Sequence, residues 1–213
     1  MVQRLGGGAG LLKSFVNRVD LLPKLGGDLL FGIQRLASLG CDAPVVDGLL
    51  VLALKSLLHG PSVNIPEVDS CSHQIVCLCS CSSRITQAIG HLLDQGDYLE
   101  GYLLNDLANE IMFNGSDQMN RQIAADLAAV DSRLTRRYSP GEGEMDLPYQ
   151  GLLLQCFRED HRLDFVKLTD SFMLTPEKSM LYLYGADQRN PGVSVEHDCS
   201  ICPNKTCFFR AEK

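Results

Sequence analysis

The chain has 213 residues, enough for one domain or two small ones with a substantial buried core. Hydrophobic residues make up 45% and charged ones 21%, while the net charge of −7 argues against an electrostatic grip on nucleic acid, which needs a clustered basic face. The most apolar run, VVDGLLVLALKSLLHG (residues 45–60), is broken by Asp47 and Lys55 and falls short of the ~20 apolar residues of a membrane span.

The opening MVQRLGGGAGLLKSFVNRVD lacks a signal peptide's long apolar stretch and small-residue cleavage site, so a cytoplasmic location is expected. Residues 1–20 read as a loosely ordered segment, because LGGGAG is too rich in glycine for a stable helix. Helical patterns follow over 27–38 and 44–58, separated by a Gly-Cys-Asp-Ala-Pro connection. Residues 60–70, GPSVNIPEVDS, read as a loop or extended crossing, and HQIVCLCS (73–80) as a strand.

Three amphipathic helices come next. Ile85, Ala88, Ile89, Leu92 and Leu93 fall on one face of a helix; Leu104, Leu107, Ala108 and Ile111 repeat the arrangement; Ile123, Leu127, Val130 and Leu134 give a sparser version. Asn114-Gly115-Ser116-Asp117 is expected to end one helix and cap the next. Asp106, Glu110, Asp126 and Asp131 fall on polar faces and read as solvated. A helix over 147–160 carries Pro148 in its first turn, and FVKLT and SMLYLYG (179–185) read as strands. Helices first and short strands around and after them predict an α+β domain over 21–190, followed by a cysteine-rich tail over 191–213.

Three stretches could carry chemistry. In RRYSPGEG, Arg136 and Arg137 precede a turn whose Gly141 and Gly143 can take positive φ, and an arginine fork suits a carboxylate or phosphate. From the residues alone the plainer reading is a connector with a solvated basic edge, and the P-loop spacing is missing. In CSHQIVCLCSCSS, Cys77, Cys79 and Cys81 project with Ile75 from one strand face. At ~3.3 Å per residue they stand roughly 6.6 Å apart, too far for one metal without a bend, so they read as core thiols. In the tail, His197, Cys199, Cys202 and Cys207 lie within HDCSICPNKTC and could hold zinc or, with an outside ligand, an iron–sulfur cluster. The alternative is a reduced, unliganded tail. No spacing picks out a nucleophile and base, so no catalytic residue is assigned.

RRYSPGEG, followed by KLTDSFMLTPEKSM (167–180), resembles the activation domain of cobalamin-dependent methionine synthase and the bacterial proteins built from that domain alone. The family's Arg-x-x-Pro-Gly-Tyr turn is matched by Arg137, Pro140 and Gly141. Its Leu-Thr-Glu-Ser segment with a downstream proline and serine is matched by Leu168, Thr169, Asp170, Ser171, Pro176 and Ser179. The good match runs from about 133 to 185.

The resemblance implies a single α+β unit with helices packed on a twisted antiparallel sheet, and a binder of S-adenosylmethionine. Arg137 would pair with the ligand's carboxylate, while the backbone around Ser139, Gly141 and Glu142 lines the site. Such a module assists reductive methylation of a cobalamin carried by a corrinoid methyltransferase on another chain, with a flavodoxin or similar electron donor. Glu142 stands where the family has tyrosine, which leaves open a non-catalytic interaction protein with a decayed site. A metal or redox protein built on the tail cysteines is the third reading.

Overall fold

The computed structural model describes residues 50–191. The expectations for residues 1–20, the helix over 27–38 and the tail beyond Pro191 lie outside the described residues. Four strands, β1 (Leu50–Leu58), β2 (His73–Cys81), β3 (Arg133–Leu134) and β6 (Ser179–Asp187), form one antiparallel sheet in the order β1-β2-β6-β3. A separate hairpin pairs β4 (Lys167–Leu168) with β5 (Leu174–Thr175). The helices are α1 (Pro66–Asp69), α2 (Ser83–Gln95), α3 (Tyr98–Ala128) and α4 (Tyr149–Gln155), with a 3₁₀ turn over His161–Leu163. Helices packed on an antiparallel sheet are the α+β class the sequence predicts.

The sheet separates two hydrophobic clusters. β2 lies between β1 and β6, with Cys77 opposite Leu54 on one side and Tyr182 on the other. Ile75, Cys77, Cys79 and Cys81 leave β2 toward α2 and α3, where they meet Ile85, Ile89, Leu104, Ile111, Met119 and Ile123. Val76 and Leu78 leave it the other way, toward Leu153 of α4, Phe157, Leu163 and Val166. The core-thiol reading of the three cysteines therefore holds. Burial raises all three thiols: Cys81 to about 11, Cys79 to about 12, and Cys77 well above its usual range.

Residues 50–58, expected to be helical, are strand β1 instead. Leucine-rich LVLALKSLL suits a helix by propensity, but Leu54 packs into the first cluster and Ala53 into the second. A strand buried on both faces reads as a continuous apolar run, without the alternation that distinguishes strands in sequence.

The expected break at Asn114–Asp117 is likewise missing, and α3 runs 31 residues through it. Gly115 is buried where α3 crosses β1, and a Cβ there would collide with the Leu50 side chain, so glycine permits the close approach. Ser116, expected as a cap, turns inward to Tyr182. Both residues serve helix–sheet packing, which outweighs a local propensity cost of ~1 kcal/mol.

Helix α4 is shorter than the expected 147–160: Pro148 stands at its N-cap, one residue before the first turn, and it ends at Gln155. Beyond it Cys156, Phe157 and Arg158 make 3₁₀-type bonds to Leu153, Leu154 and Gln155, a tightening that carries Phe157 into the second cluster.

Candidate functional site

Strand β3 holds two residues in register, Arg133 opposite Asp187 and Leu134 opposite Ala186, before the pairing slips. It resumes at Tyr138 opposite Leu183. Thr135, Arg136 and Arg137 thus stand against only Tyr184 and Gly185, which is a β-bulge. Thr135 secures it: its N–H donates to the Gly185 carbonyl (2.9 Å) and its Oγ1 accepts from the Gly185 N–H (2.9 Å). One extra residue reverses the facing of the strand, so Leu134 joins the first cluster and Tyr138 the second.

The two adjacent arginines diverge from this bulge. The Arg136 guanidinium lies 4.4 Å over the Tyr138 ring, donates to the Tyr138 hydroxyl at 3.1 Å, and pairs with Glu144 at 3.0 Å. The Tyr138 hydroxyl in turn donates to the Glu67 carboxylate, and burial together with that bond pushes it up to about 12. Arg136 is therefore committed to a network that ties α1 to the turn.

Arg137 is half-buried and lies 5.3 Å from the centre of the Tyr182 ring. Among the described residues its guanidinium makes no ion pair and no hydrogen bond. Beneath it, the Tyr182 hydroxyl donates to Asn120 Oδ1 at 3.0 Å. Its single proton being spent there, Ser116 must donate to it across 2.9 Å. The Tyr184 ring meets Tyr182 edge-on, with centroids 5.8 Å apart. Asn120 Nδ2 and the Tyr184 hydroxyl are buried with no partner among the described residues.

The turn after the arginines is self-contained. Gly141 takes a φ of +87°, a conformation that favours glycine, and its N–H donates to the Met145 carbonyl at 2.7 Å. Glu142 N–H donates to the Ser139 carbonyl (3.0 Å) and Met145 N–H to the Glu142 carbonyl (3.2 Å). Met145, 1% exposed, anchors the turn in the second cluster. Ser139 is half-buried, and Gly141 and Glu142 are exposed. Of the expected site residues, Arg137 is set on Tyr182, while Ser139, Gly141 and Glu142 stand on a turn that leaves the sheet for the opposite layer.

The second family-like stretch forms the β4–β5 hairpin and its exit. Thr169 Oγ1 accepts from the Met173 N–H (3.1 Å) and bonds the Ser171 hydroxyl (2.9 Å). A cis Thr175–Pro176 bond follows, and Ser179 bonds both the Pro176 carbonyl (2.6 Å) and Ser80 (2.7 Å). Thr169, Asp170 and Ser171 are exposed.

A groove of about 410 Å³ opens on the second face, floored by Leu154, Phe157, Leu163, Val166 and Leu168 with Arg158 at its rim. It lies across the sheet from the layer that Arg137 faces. His197, Cys199, Cys202 and Cys207 lie outside the described residues, among which no three His, Cys, Asp or Glu side chains are grouped to hold a metal. Asp106, Glu110 and Asp131 are exposed and Asp126 half-exposed, as expected. No helix among the described residues is long and apolar enough to cross a membrane.

Sequence reasoning missed the Ser116–Tyr182–Asn120 set. Its signal was two polar residues four apart on the buried face of a helix, a spacing that puts both under one partner.

No protein-family model matches the chain, and no curated protein sequence does. Among solved structures, the crystal structure of the MetH reactivation domain bound to AdoHcy is similar, with a TM-score of 0.46 and 13% identity. The likeness covers 58% of this chain and 42% of that one, so the chain spans less than half of that structure's length.

Proposed function

We propose that the chain is a reactivation-type module that binds S-adenosylmethionine at Arg137 and presents it to a corrinoid methyltransferase. The observation that carries this reading is the Arg137 guanidinium, stacked over Tyr182 and left without an anion among the described residues. A guanidinium on an aromatic face keeps its N–H edge for a planar, bidentate carboxylate. The resemblance of RRYSPGEG and KLTDSFMLTPEKSM to the methionine synthase activation domain supplies the ligand class. Arg137 would hold the amino-acid carboxylate and Ser139 a second polar group, while Gly141 and Glu142 give the turn its shape. The bound ligand supplies an electrophilic methyl on sulfonium, and a flavodoxin-like donor would supply the electron. The chain's own part is binding and orientation, with no general base or nucleophile required of it.

Titration calorimetry with S-adenosylmethionine tests the reading. Wild type and Arg136→Ala should bind, and Arg137→Ala should lose at least about tenfold in affinity, ~1.4 kcal/mol. Equal binding by Arg137→Ala, or no binding by wild type, overturns it.

A second reading has its own support. The N–H groups of Gly141 and Glu142 are spent inside the turn, and an exposed carboxylate, Glu142, stands where the resembled family has tyrosine. These features favour an interaction module whose ligand site has decayed. Binding gained only in Glu142→Tyr would decide for it.

A further inference from the structure

The solvent face of the first two turns of α3 is apolar. Tyr98 is 60% exposed, Leu99 68%, Tyr102 64% and Leu103 47%. At ~100° per residue these four side chains share an arc of about 140°. The buried face of the same helix, carrying Gly101, Leu104, Ala108 and Ile111, packs on the sheet and α2. The exposed arc is therefore surplus to the core. Four large apolar side chains grouped in water mark a contact surface, where scattered single ones would not.

Charge around the arc is one-sided. From Ile85 to Asn120 the chain carries six acids (Asp94, Asp97, Glu100, Asp106, Glu110 and Asp117) and no lysine or arginine. Asp94, Asp97 and Asp106 are exposed and Glu100 half-exposed, and among the described residues none of these four makes an ion pair. An apolar centre within an acidic rim repels a second copy of itself, because a two-fold contact would bring the same carboxylates together. It complements an apolar strip flanked by lysine and arginine.

We propose that this end of the α2–α3 hairpin is a docking surface for a partner protein that presents an amphipathic helix with an apolar face and a basic rim. The aromatic and leucine side chains supply contact area, and the carboxylates supply orientation and rate of encounter. The surface is separate from Arg137 and stands whether or not that residue binds a ligand.

The full chain is titrated with a synthetic helical peptide of leucine and lysine at amphipathic spacing, and with the same peptide carrying glutamate for lysine. The lysine peptide should bind about tenfold or more tightly than the glutamate peptide and shift the amide resonances of residues 98–106. Binding should weaken from 0.1 M to 1 M salt, as the screening length falls from about 10 Å to about 3 Å. Leu99→Glu and Tyr102→Glu, both at exposed positions, should keep the helical circular dichroism and lose the binding. Equal binding of both peptides, resonance shifts elsewhere, or binding unaffected by Tyr102→Glu overturns the proposal. Two other occupants would also overturn it: a concentration-dependent dimer dissolved by Tyr102→Glu, or tighter binding by a peptide of this chain's residues 11–25, LLKSFVNRVDLLPKL.

Discussion

The apolar side chains that leave β2 toward α4, Val76 and Leu78, meet Leu153, Leu163, Val166, Leu181 and Leu183, while the buried Gln74 and Ser80 of the same face bond the Pro61 carbonyl and Ser179. Those that leave it toward α2 and α3 are Ile75 and three cysteines, and they meet Tyr182, Tyr184, Ser116 and Asn120 as well as aliphatic residues. The α4 side is held at its centre by aliphatic packing, with its hydrogen bonds at the margins, whereas the α2–α3 side carries the hydrogen-bonded Ser116–Tyr182–Asn120 set within its core. The adjacent arginines repeat the contrast at the sheet's bulged edge. Arg136 is absorbed into the Tyr138–Glu67–Glu144 network beside the aliphatic layer, whereas Arg137 lies over the polar layer with no anion among the described residues. A layer that already contains polar groups is where a cation can be half-buried at least cost in desolvation.

The contrast can be broken by substitution on either face. Leu78→Ala, in the aliphatic layer, should cost about 2–5 kcal/mol in denaturant unfolding, because it opens a cavity in a fully buried site. Tyr182→Phe should cost less, about 1–3 kcal/mol, by leaving the buried Asn120 Oδ1 without a donor. Adding Ser116→Ala and Asn120→Leu to that variant should recover part of the loss, whereas a further loss would show that the polar set does not act as a unit.

Alkaline titration separates the faces next. The Cys79 and Cys81 thiols, raised by burial to about 12 and about 11, stay protonated in the folded chain after unfolded thiols have ionised. Their stabilisation is complete below the usual thiol range and is lost as pH rises through it toward 11–12. The slope is at most about 1.4 kcal/mol per pH unit for each group. Urea midpoints should therefore fall steadily from about pH 9 upward. Cys79→Ala should flatten that fall, and an unchanged slope would remove the thiols from the explanation.

The smallest effects fall on the arginines. Arg136 is about half exposed, so its ion pairs are screened, and Arg136→Ala should cost about 1 kcal/mol or less. Arg137→Ala should change stability even less while weakening the proposed S-adenosylmethionine binding about tenfold or more. A larger stability loss at Arg137 than at Arg136 would mean that its stacking on Tyr182 is structural.

Where local pattern and tertiary packing agree, the sequence was legible. Helix α2 was readable because Ile85 and Ile89 recur on one buried face, and β2 and β6 because their β-branched and aromatic runs end at polar turns. The inward row of Cys77, Cys79 and Cys81 followed from the two-residue period of a strand. In the site, the Arg137 and Gly141 positions could be singled out from residue type, and the positive φ of Gly141 and Gly143 was foreseen. The bulge was not, since nothing local says that Thr135 will bond Gly185 fifty residues away.

The sequence by itself determined periodicities, turn chemistry, the balance of charge and the chemical kinds of side chain available. These properties act between residues a few positions apart. Tertiary structure alone decided that LVLALKSLL is a strand, that Gly115 and Ser116 continue a helix they would otherwise end, and that neighbouring arginines face different layers. Each of those outcomes rests on a contact with a distant segment, where burial and hydrogen bonding worth several kcal/mol outweigh a local preference of about one.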